Sequence, residues 1–261
     1  MISKKGQLTI FIIVGILIVT AIATVFFVVQ KGTEDKVGEV DSETGKIKAY
    51  FENCLKSTTE KGIAWNGQQG GYYLTPDPSA FYFSNVILVP YYFYHGLARI
   101  PDDFVFEEQL NKYILDNFEE NCDLDFFSEE GYEIEIIGEL KINSKLLFNS
   151  FFVEMEYPLR IKQGEETTEL DKFSIEVASK FKDIILAVKM LMEDRVDKEG
   201  ICLSCMEDYS EEYGLEFESF YNTLNGDSFL VVYDEQDKDK EKGYKFIIAM
   251  EEGDFNFFGI E

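Results

Sequence analysis

The first pattern along the chain is an uninterrupted apolar one. From Leu8 to Val29 there is no charged residue, and Ile, Val, Leu and Phe dominate. As a helix rising about 1.5 Å per residue, such a run reaches roughly 33 Å, enough to cross a bilayer. Phe26, Phe27, Val28 and Val29 offer no small-x-small site at its far end, so the run reads as an anchor and not as a secretory signal removed behind it. Residues 30–45 turn polar and acidic, with Gly32, Gly38 and Gly45 among them, and predict a short linker.

Beyond the linker the period changes to that of a helix. Ile47, Tyr50, Phe51, Cys54 and Leu55 fall on one face at i, i+3, i+4, i+7 and i+8, which predicts a helix starting near Asp41 or Ser42 and ending before Gly62. Between Asn66 and Pro101 no helical period survives. Paired Gly70 and Gly71, Pro76, Pro78, Pro90 and dense Tyr and Phe predict an aromatic-rich loop region, either a binding surface or a lid over the first helix and a sheet. Asp102 is an N-cap candidate for a second helix carrying Leu110, Tyr113, Ile114 and Phe118 and ending near Cys122.

Tyr132, Ile134 and Ile136 alternate with acids as a strand does. A second β-rich run covers Leu146–Ile161, with Asn143 and Ser144 as the expected turn, so the two are expected to pair as antiparallel strands. Phe173, Val177, Phe181, Ile184, Ile185, Val188 and Leu191 predict the longest helix of the body, lying over a sheet. Ser228–Glu235 and Tyr244–Met250 read as a hairpin across a charged turn. These elements together predict an α+β body, residues 46–261, with helices packed on an antiparallel sheet behind one N-terminal transmembrane helix.

Charge sets the orientation. Lys4 and Lys5 precede the apolar run, whereas Glu34, Asp35, Glu39, Asp41 and Glu43 follow it, so residues 1–7 are expected in the cytoplasm and the body outside the cell. The whole chain carries a formal charge of −26, and because residues 1–30 carry +2, the part beyond the anchor carries −28. A field of that sign disfavours nucleic acid and anionic lipid and favours cations or basic partner surfaces. With 24 Phe and 15 Tyr there is ample material for a packed core.

Candidate chemistry is sparse. Cys54, Cys122, Cys202 and Cys205 allow three pairings, and an exported body lets disulfides persist. The favoured pairing joins Cys54 to Cys122, which occupy similar places on two predicted helices, and Cys202 to Cys205 within the loop Ile201–Met206. The latter spacing also fits a redox C-x-x-C, although Glu199, Glu207 and Asp208 nearby would raise a thiol's pKa. Zinc would need ligands from Cys54, Cys122 or His95 to complete a four-ligand site, so no metal site and no cofactor are assigned. His95 is the only histidine and sits in no partner motif. No hydrolase, P-loop or HExxH pattern is present, so no catalytic residue is assigned.

Lys4-Lys5-Gly6-Gln7 directly before the apolar run resembles the amino terminus of archaeal type IV pilin-like precursors. The resemblance implies cleavage between Gly6 and Gln7 by a prepilin peptidase on the cytoplasmic side, leaving the helix in place to bundle with copies of itself. The chain departs from that family at Phe11, where the family has glutamate at the fifth position after the cut. The wider combination of this anchor, a Cys-bearing helix, Gly67–Tyr73 and the Tyr157–Ile161 strand is similar to archaeal membrane-anchored surface proteins, a likeness that implies a surface location and no activity. The expectation is a structural or interaction role in the archaeal envelope, toward a surface protein or glycan. The alternatives are a pilin-like filament subunit, and an anchored hydrolase of glycans or peptides using carboxylates between Tyr72 and Tyr94.

Overall fold

The computed structural model describes residues 42–82, 87–196, 201–221, 226–235 and 244–251. The expected anchor at 8–29, the processing pair Gly6 and Gln7 and most of the linker lie outside them. No helix among the described residues is long and apolar enough to cross a membrane. Two compact units divide the chain at Lys46 and Ile47, and the second is the body described next.

Helix α1 spans Ser42–Gln68, the longest element among the described residues, and runs past the expected stop at Gly62. The glycine is there for packing and not for termination. A Cβ on Gly62 would lie 2.6 Å from Tyr113 Cδ1 and 2.9 Å from Leu110 Cδ1 on α2, Asp103–Asn121. Asp102 caps α2 as expected, its carboxylate accepting from Val105 N at 3.2 Å. A short α3, Asp125–Glu129, follows.

The supposed loop region builds strands β1 (Ser79–Tyr82), β2 (Ile87–Tyr94) and β3 (Leu97–Ala98). Pro90 argued against a strand there, since it donates no ladder bond. It is accommodated opposite Ser79 in the β1 pairing, close against Gly70.

Next come β4 (Glu133–Ile136), β5 (Lys141–Leu146), β6 (Ser150–Gln163) and β7 (Glu166–Ala178). Asn143 and Ser144 are not the turn expected of them but lie within β5. There α2 supplies their neighbours: Ser144 N donates to Asn111 Oδ1 at 2.9 Å and Ser144 Oγ donates to the Glu107 carbonyl at 3.0 Å. The long β6 carries β7 along one edge, and β5 and then β4 end to end along the other. The break between them coincides with an irregularity between Glu156 and Leu159, where the Pro158 carbonyl accepts from Ile137 N at 2.9 Å.

Phe173 and Val177 belong to β7, so the expected long helix is shortened to α4, Phe181–Val196. Helix α5 (Leu203–Tyr213) begins within the expected loop Ile201–Met206, strand β8 (Leu215–Tyr221) follows it, and β9 (Asp227–Asp234) pairs antiparallel with β10 (Lys245–Glu251) as expected.

The larger sheet has the order β1-β2-β10-β9-β8, with β3 on β2, and is mixed because β2 and β10 run parallel. The fold is therefore α+β, with one mixed and one antiparallel sheet in place of the single antiparallel sheet expected. Its main core brings together Phe51, Phe118, Tyr157 and Phe173 between α1, α2, β6 and β7, and Phe106, Phe151, Phe181 and Phe246 between α2, β6, α4 and β10. Strand β9 is buried along nearly its whole length because its alternate residues serve two apolar clusters, Leu230 and Val232 in one, Phe229, Val231 and Tyr233 in the other.

Candidate functional site

The antiparallel sheet positions a polar surface feature. Register sets Lys141 opposite Glu156 and Glu156 opposite Lys172, and, two residues along, Asn143 opposite Glu154 and Glu154 opposite Ser174. Because alternate residues of a strand share a face, these six polar side chains form a grid of two rows across β5, β6 and β7. These residues, with Lys48 of α1 and the intervening Ile142, Met155 and Phe173, whose side chains lie in or against the main core, surround an open cavity of about 520 Å³.

Three lysines meet two glutamates around this cavity, within a chain whose overall charge is −26. Lys141 lies 3.6 Å from Glu156, and Lys48 lies 3.9 Å from Glu52 on its own helix, with all four side chains substantially exposed. Exposed pairs of this kind contribute little to stability. They place ammonium, amide, hydroxyl and carboxylate groups on the residues around one concavity, a donor and acceptor set suited to a polyhydroxylated or carboxylated ligand. None of these residues was singled out from the sequence. The strand alternation was visible, but the grid exists only through the pairing of three strands.

The structure joins Cys202 to Cys205 in a disulfide. Cys54 and Cys122 are brought into contact, but the expected bridge between them is corrected to a pair of thiols, linked by a hydrogen bond instead of a covalent bond. That hydrogen bond from Cys122 lowers the Cys54 pKa to about 7, against the opposing effect of burial and with help from Tyr50 and Lys61. The same bond, with burial, raises Cys122. The pair thus gives up one proton readily and a second only with difficulty. Tyr50, beside it, is raised to about 12, first by burial and then by the charge on Cys54.

Asp194, Cys202 and Cys205 bring potential ligand atoms within 4.8 Å of one another. The two sulfurs are bonded to each other, so they are not the thiolates a zinc site requires. His95 occupies a two-residue hairpin turn with Gly96 between β2 and β3, both at positive φ, 53° and 73°. Its backbone N donates to Glu251 Oε2 at 2.5 Å, and its ring is exposed. The stretch from Tyr72 to Tyr94, where a hydrolase would need its carboxylates, contains Asp77 as its sole acid and supplies strands to the larger sheet.

No protein-family model matches the sequence, and no curated protein or solved structure gives a significant match. The residues of this chain alone carry the functional reading.

Proposed function

We propose that the chain is a single-pass surface protein of an archaeal envelope, held in the bilayer by residues 8–29 with its N terminus in the cytoplasm. Its acidic body would bind a glycan bearing carboxylate groups. The observation that carries this reading is the polar grid around the 520 Å³ cavity, where Lys48, Lys141 and Lys172 gather on an otherwise strongly acidic chain. Lysines pair with sugar carboxylates, while Asn143, Ser174, Glu154 and Glu156 exchange hydrogen bonds with hydroxyls. A disulfide in the body agrees with an exported location.

The test uses full-length protein in detergent with polygalacturonate as the probe, read by calorimetry at two salt concentrations. Binding that weakens with salt and is lost in K141E/K172E is the expected result. Binding that is absent, or indifferent to those substitutions, overturns the assignment.

A second reading is favoured by Lys4-Lys5-Gly6-Gln7 before the apolar run, namely a pilin-like subunit cut between Gly6 and Gln7. Intact mass of protein from its native membrane decides the cut. A chain starting at Gln7 together with sedimenting filaments supports this reading, and a chain starting at Met1 refutes it.

A further inference from the structure

Cys202 and Cys205 are not placed as an inert staple. Cys202 is the N-cap of α5, its sulfur accepting from Cys205 N at 3.2 Å, so that a negative charge on this sulfur would meet a helix N-terminus. Asp194, in the last turn of α4, holds Oδ2 3.4 Å from the Cys205 sulfur. In the disulfide that sulfur carries no proton, so the contact sets a carboxylate oxygen against sulfur lone pairs. Once the bridge is reduced, the Cys205 S–H donates to the same oxygen. Asp194 therefore disfavours the bridge and favours the dithiol. Leu203, between the cysteines, is 71% exposed, which leaves apolar surface beside the bond for an incoming chain.

From this geometry we infer that Cys202–Cys205 is a thiol–disulfide exchange centre that oxidises cysteine pairs of client proteins. A client thiolate attacks the Cys202 sulfur and forms a mixed disulfide. The Cys202–Cys205 bond breaks, and Cys205 leaves with the electron pair, takes a proton from solvent and hydrogen-bonds to Asp194. A second client thiolate then attacks the client sulfur of the mixed disulfide, closing the client's bridge and expelling Cys202 as a thiolate at the start of α5, where it too is protonated. Two electrons pass from the client to the bridge, and the two protons lost by the client thiols are balanced by the two gained. A further disulfide compound restores the bridge by the same exchange in reverse. This role is independent of glycan binding at the grid.

The test is oxidation of a peptide bearing two cysteines by full-length protein in detergent, with oxidised glutathione as the terminal oxidant. The expected result is acceleration of about tenfold or more over glutathione alone, since the step that closes the client's bridge expels Cys202, a favourable leaving thiolate at the helix N-terminus. C205S should accumulate the peptide as an adduct on Cys202, and C202S should form none on Cys205. D194N should shift the equilibrium with glutathione toward the protein disulfide by about five- to tenfold, the difference between a charged and a neutral acceptor. Reduction of the wild-type bridge by the peptide, read by mass, needs no variant and so survives a variant that does not fold. A bridge that the peptide cannot reduce in the native protein, or a peptide oxidation rate no greater than with C202S, overturns the assignment.

Discussion

Oxidising Cys54 with Cys122 should stabilise the body strongly, because the two thiols already touch and the chain between them is long. Cys54 lies in the middle of α1 and Cys122 caps the C-terminal end of α2, so a bond would fasten two helices that pack through Gly62 and Tyr113. It would close a loop of roughly seventy residues, for which the chain-entropy estimate is about 4 kcal/mol. A body of this size shifts its melting midpoint by about 2–4 °C per kcal/mol, so the oxidised protein should melt about 8–16 °C higher. The loss of one thiol–thiol hydrogen bond subtracts only about 1 kcal/mol. The comparison is between oxidised wild type and C122S, both without reductant so that Cys202–Cys205 stays intact in each. Before oxidation, iodoacetamide should label Cys54 with a midpoint near the about 7 to which Cys122 lowers it. Thiols that persist in the folded protein under oxidant, or a bridge that forms without raising the midpoint, would refute this reasoning. Protein taken from native membranes should show no free thiol if the body faces an oxidising exterior.

Three further outcomes test the packing that holds the grid and the core in place. Glu107 is nearly buried and accepts from Leu146 N at 3.0 Å and from Lys145 Nζ at 2.9 Å, so E107A should cost about 2–4 kcal/mol by urea unfolding, whereas K145A, at the exposed end of the pair, should cost less than about 1; equal costs would contradict the assignment. Tyr92 is fully buried with its hydroxyl donating to the Gly70 carbonyl at 2.8 Å, and burial raises its pKa well above the usual value near 10. The native state thus keeps a proton that the unfolded chain loses above about pH 10, stability falls as pH rises past that point, and Y92F should flatten the fall by one proton's worth; an unchanged slope would count against it. G62A gains about 1 kcal/mol of helix propensity but sets a methyl 2.6 Å from Tyr113 Cδ1 and 2.9 Å from the buried Leu110, so a net loss of about 1–3 kcal/mol is expected and a gain would show that α2 yields easily.

The chain announces its local structure where a single interaction decides it, and conceals it where two periods or two partners compete. The Asp102 cap and the β9–β10 hairpin are of the first kind, since each is settled by neighbouring residues. Phe173 and Val177 are of the second. Residues four apart share a face in a helix and equally in a strand, and only the pairing of β7 with β6 over twelve positions selects the strand. Gly62 reads as a stop until a second helix needs the space its side chain would fill, and Pro90 reads as a loop until a strand accepts it opposite Ser79. The sites divide in the same way. Cys54 and Cys122 were legible as neighbours because each marks a definite place on an amphipathic helix. Lys141, Glu156 and Lys172 come from three strands, and Asp194 reaches Cys205 from a different helix. Each of these groups is ordinary in its own segment, and its chemistry comes into being only with the tertiary contact. The functional content of this chain therefore lies mainly in register and helix packing, where substitution of the supporting residues should alter the sites without touching them.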